Sequence, residues 1–122
     1  MLTRIAGAAA FAMSLLAELL GMSLITSAGA ADLPVYAVEK WCDAVARSGG
    51  SKSEVIYGGC IKQEQSAYDH LKGSWDSLPE QTRSWCDQVA KSGGLGSYMI
   101  LDGCVKQETT AAKENSRREF KR

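Results

Sequence analysis

Four cysteines, Cys42, Cys60, Cys86 and Cys104, are the residues of this chain best placed to do chemistry by type and spacing. Structural zinc draws on cysteine or histidine pairs only a few residues apart, and a thioredoxin-like dithiol needs two cysteines separated by two residues. The shortest separation here is 18 residues, and the only histidine is His70. No metal and no cofactor is expected. Two disulfides in an oxidising compartment fit better. A second candidate pair is Glu64 and Glu108, each four residues beyond a cysteine and each preceded by Lys-Gln. Two carboxylates in one cleft would make a glycosidase-type hydrolase. A simpler reading puts each glutamate one helical turn beyond its cysteine, facing the preceding helix, where an indole N–H needs an acceptor. Hydrogen-bonded pairs Trp41–Glu64 and Trp85–Glu108 are therefore expected, and no catalytic residue. His70 has Glu114 as its counterpart and reads as a surface histidine rather than a general base. The Gly-Gly pairs at 49–50 and 93–94 follow helical rather than strand patterns, which argues against a phosphate loop.

These residues belong to an internal repeat. Trp85 to Glu108 is a second copy of Trp41 to Glu64, shifted by 44 positions without a gap, and 15 of 24 positions are identical. Of the three possible cysteine pairings, the repeat favours Cys42–Cys60 and Cys86–Cys104, so that each copy carries its own bridge. Either closed loop is of a size for which chain entropy favours folding by about 3 kcal/mol. That is a large share for a unit too small to build its own core.

The elements that must position these residues read as helices. Asp32-Leu33-Pro34 is a helix-start signal. Val38, Trp41, Cys42 and Val45 then follow the spacing of one amphipathic face, ending at Ser48-Gly49-Gly50. Ser51 to Glu54 has the form of a capping box and opens a second helix with an inner stripe of Ile56, Cys60, Ala67 and Leu71. Gly58-Gly59 lies inside that helix and is expected to let it approach its neighbour closely. Ser77-Leu78-Pro79-Glu80 opens a third helix. Ser97 caps a fourth, with Ile100, Cys104 and Ala111 inward, which frays after about Asn115. Trp75, Leu78 and Tyr68 around the connector are expected to pack one repeat on the next rather than form an exposed partner patch.

The run Trp-Cys, Gly-Gly, Ser97-Tyr98-x-x-Leu101, Cys104 and Glu108 resembles short exported alphaproteobacterial proteins of unknown function. A helical hairpin is the fold that this resemblance implies. It covers the second copy best, since Glu54 and Tyr57 stand where the second copy has Tyr98 and Leu101.

Residues 1–30 read as a secretory signal peptide: one early basic residue, an apolar stretch and an Ala28-Gly29-Ala30 cleavage pattern. Glu18 in the apolar stretch argues against the alternative, a retained membrane anchor. Cleavage would leave 92 residues with balanced charge, giving no electrostatic footprint for nucleic acid and no stable membrane span. The expectation is an all-α protein of two tandem disulfide-clipped hairpins, residues 31–74 and 75–122, periplasmic or extracellular. Its expected role is non-enzymatic: binding or structural, with a protein or envelope partner. The alternatives are an inhibitor of an extracellular hydrolase, with an exposed loop such as Gly93 to Ser97, and a small hydrolase using Glu64 and Glu108.

Overall fold

The computed structural model describes residues 32–122, and the expected signal peptide lies outside them. The described chain forms four helices: α1 (Val38–Ala46), α2 (Glu54–Lys72), α3 (Glu80–Ala90) and α4 (Tyr98–Asn115), with a single 3-10 turn at Trp75–Ser77 between α2 and α3. Helices α1 and α2 pair as one hairpin, α3 and α4 as the other, and α2 packs on α4. Each hairpin is closed by one bridge, Cys42–Cys60 and Cys86–Cys104, with Cα atoms 5.6 and 5.5 Å apart. These are the pairings expected from the sequence.

Matching residues turn both hairpins. Gly50 and Gly94 adopt φ of 104° and 94°, the left-handed region that glycine enters without strain. Ser53 and Ser97 cap the following helices, their hydroxyls accepting from the N–H of Ile56 and Ile100 at 3.3 Å. The cap of α2 is Ser53, within the expected start at Ser51 to Ser53, but the anticipated capping box is not formed because Glu54 is already the first helical residue. Ser77 likewise lies in the 3-10 turn, its hydroxyl donating to the Ser74 carbonyl at 2.7 Å, while α3 starts directly behind Pro79 without a side-chain cap.

Helix α1 begins at Val38, not at the Asp32-Leu33-Pro34 signal. Residues 32–37 instead form a strap tied to distant groups. The Tyr98 hydroxyl donates to the Pro34 carbonyl at 2.7 Å and accepts from the Tyr36 N–H at 3.2 Å. The Trp75 indole donates to the Asp32 carbonyl at 3.1 Å. Partners so far along the chain outweigh the one helical turn that a local start signal offers, since buried backbone groups must be paired somewhere.

One core serves both hairpins. It gathers Tyr36, Ala67, Leu71, Trp75, Cys86, Ala90, Tyr98, Leu101 and Val105. Trp75 is buried in it, with Tyr68 and Leu78 packed alongside, as the connector aromatics were expected to be. The inward face of α4 is rotated from expectation: Tyr98, Leu101, Asp102 and Val105 are buried, while Ile100 is exposed. Helix α4 meets α3 through its bridge and α2 on a second side, so a stripe read for one partner misses the other. Ile56 on α2 is also exposed, lining an open cleft together with Met99 and Ile100 of α4.

Close approach rests on a different glycine from the one anticipated. A Cβ at Gly58, Gly59 or Gly103 would meet nothing, whereas at Gly96 it would collide with the Tyr36 ring.

Candidate functional site

Glu64 is 1% exposed and stands in the middle of α2, where the helix crosses the start of α4. Its carboxylate accepts from the Ser97 hydroxyl at 2.5 Å and from the backbone N–H of Tyr98 at 2.6 Å, with Met99 N–H further off at 3.4 Å. The first N–H groups of a helix have no partner within it, and the helix dipole favours an anion there. Glu64 supplies both needs at once. It thereby couples the first hairpin to the second.

The expected Trp41–Glu64 hydrogen bond is not formed: the carboxylate is taken up by α4. Trp41 instead lines a cleft of about 400 Å³ with Val45, Gln63, Glu64, Met99 and Ile100. A glutamate one turn beyond Cys60 can face α1 or the next hairpin, and the helix N-terminus offers stronger donors than an indole.

The corresponding residues of the second hairpin have no such cover. Trp85 is 54% exposed, so its indole does not need the acceptor that was expected, and no Trp85–Glu108 hydrogen bond is seen among the described residues. The two line an open groove with Gln81 and Thr82. Glu64 and Glu108 therefore lie in different clefts, and the paired-carboxylate arrangement of a glycosidase is not assembled.

Two polar clusters escaped the sequence reading. His70 Nδ1 lies 2.7 Å from Asp102 Oδ1, and Lys106 Nζ lies 2.6 Å from Asp102 Oδ2. The Asp102 side chain is 11% exposed while His70 and Lys106 are largely in solvent, so the carboxylate is the buried knot of an α2–α4 tie. The one available signal was a difference between the copies, since Gly58 occupies the matching position. In the second cluster the Tyr36 hydroxyl donates to Asp87 Oδ1 at 2.7 Å, and Lys91 pairs with the other oxygen at 2.5 Å. Burial and then the Asp87 carboxylate push the Tyr36 phenol far above its ordinary pKa. Burial also raises that of Tyr98, against a smaller opposing effect of the Tyr36 N–H. Both tyrosines fasten the strap.

All four cysteines are in bridges, and among the described residues no group of three or more His, Cys, Asp or Glu is placed to hold a metal ion. No described helix is long and apolar enough to cross a membrane. The bridges point to an oxidising, non-cytoplasmic location. In the loop offered for an inhibitor, Gly93 and Gly94 are exposed while Gly96 and Ser97 are buried, so its second half faces inward. No family model, curated protein or solved structure matches this chain.

Proposed function

We propose that this chain is an exported, non-enzymatic binding module of the cell envelope, related to the short alphaproteobacterial proteins it resembles and built by duplication of one hairpin. The observation that carries the proposal is the open face of the second hairpin. Trp85 is half exposed beside Glu108, whereas 44 positions earlier Glu64 is buried against α4 and Trp41 lines a cleft with Met99 and Ile100. A large aromatic next to an uncommitted carboxylate is a surface of the kind that anchors partners. The hydrolase alternative needs both glutamates in one cleft, and the inhibitor alternative needs a loop free to be presented. Against them stand the separate clefts of Glu64 and Glu108 and the buried second half of the Gly93 to Ser97 loop.

A photoreactive amino acid at position 85, in cells that export the protein, tests this reading. A covalent adduct to a protein is expected there, and none from the same group at exposed Lys72. Absence of an adduct at position 85 would sink it.

A further inference from the structure

We propose that the occupant of the Trp85–Glu108 face is a second copy of this chain, whose α2 N-terminus docks as α4 docks on Trp41 and Glu64 within one molecule. This rests on the binding reading above and names its partner. The receiving surface of the internal joint includes Trp41, Val45, Gly59, Cys60, Gln63 and Glu64. Forty-four positions on stand Trp85, Val89, Gly103, Cys104, Gln107 and Glu108, identical at every place. The inserted surface is Ser97-Tyr98-Met99-Ile100, held by Ser97 Oγ and the Tyr98 N–H, with Met99 and Ile100 in the cleft. Its counterpart is Ser53-Glu54-Val55-Ile56.

That counterpart is ready to be received. Ser53 already caps α2 as Ser97 caps α4, so its hydroxyl and the first N–H groups stand in the same relation. Val55 is 86% exposed and holds the position that Met99 holds on the inserted surface, while Ile56 already lines the internal cleft beside Met99 and Ile100. Stacked helical arrays normally end in polar capping surfaces. Here apolar groups lie open on two separate surfaces, Val55 on one and Trp85 on the other. A joint of two unlike faces is heterologous, so each added copy still presents both faces until a ring closes. Several substitutions make this contact weaker than the internal one. Glu54 replaces Tyr98, Lys52 replaces Gly96 and Asn115 replaces Leu71, and with Gly58 for Asp102 and Glu114 for His70 the tie between those two is missing. The Glu54 carboxylate is held by Lys52 at 3.3 Å.

The test is sedimentation equilibrium of the exported, disulfide-closed protein from micromolar to millimolar concentration, with two variants. Val55→Glu closes the inserting face and Trp85→Glu the receiving face. The wild-type mass is expected to rise with concentration. Each variant should remain a single chain, and their equimolar mixture should form a dimer and nothing larger, because only one open pair of faces survives. Should either variant fail to fold, Glu108→Ala serves instead, with an expected loss in association of about tenfold. A wild-type mass of one chain throughout, or association that survives both variants, overturns the proposal. If a monomeric wild type still forms an adduct from position 85 to a different protein, self-association fails and the binding reading stands. If position 85 forms no adduct at all, the binding reading fails with it.

Discussion

Glu64 and Glu108 follow their cysteines by the same four residues and share the same Lys-Gln before them, yet one is sealed inside the molecule and the other faces a groove. Trp41 and Trp85 differ in the same sense. The hairpins themselves are alike in bridge, turn glycine and serine cap, so local sequence is not what separates them. What lies across from each hairpin is. At the internal joint, Tyr98, Leu71 and the bare backbone of Gly96 let α4 and the strap seat on α2. The matching positions elsewhere carry Glu54, Asn115 and Lys52, and among the described residues no helix covers that face. Shared residues thus build the unit, and the residues that differ decide what covers it.

The comparison is broken most sharply at the two carboxylates. Glu64→Ala leaves the Ser97 hydroxyl and the Tyr98 N–H unpaired in the interior and should cost about 3 kcal/mol. Glu108→Ala should stay within about 0.5 kcal/mol. Urea denaturation of the two variants would show it, and equal losses would mean that the two sites are not different in kind. Next comes Gly96→Ala, which drives a methyl group into the Tyr36 ring and should cost about 2 kcal/mol. At the matching position, Lys52→Ala should stay within about 0.5 kcal/mol, as thermal melts can check.

Alkali should also act on the joint. The folded chain holds the Tyr36 and Tyr98 phenols protonated beyond the ordinary value of 10.0. Their contribution is therefore complete below that pH and is lost as pH rises above it, because the unfolded chain then releases protons that the folded chain retains. Melting temperature should hold up to about pH 9 and fall beyond about pH 10, with tyrosinate absorbance from these two rings appearing only on unfolding. An absorbance rise without loss of structure would contradict their burial. The smallest effect is a gain. Gly58→Ala fills open space in a helix and should stabilise by about 0.5–1 kcal/mol, whereas Asp102→Ala at the matching place removes the tie to His70 and Lys106 and should cost about 1 kcal/mol.

Features carried by neighbours in sequence were legible beforehand: four helices, both bridges, the turn glycines, the Ser97 cap and the end of α4. The helices, turns and caps follow from residues within about a dozen positions of one another, where helical periodicity and capping chemistry act, and the bridges, each spanning 18 residues, follow from the repeat. Features carried by distant partners were not. The strap of residues 32–37 reads locally as a helix start, and it is Tyr98 and Trp75, far along the chain, that hold it in place. The bond from Glu64 spans 33 residues to Ser97, and the stripe containing Glu64 looks the same whether it meets α1 or α4. Gly96 gives no local hint of the ring above it. The two copies were similar enough to imply equal surroundings for Trp41 and Trp85. Their few differences held the information that they are not equal.

The most direct measurement is a dilution series of amide and indole NMR spectra on the disulfide-closed protein. With increasing concentration, the Trp85 indole and the amides of Ser53 to Ile56 should shift together, while the Trp41 indole and the amides of Ser97 to Ile100 stay fixed because their joint is already made. Spectra that do not change with concentration, or shifts confined to one of the two open faces, would contradict the pairing of those faces between copies.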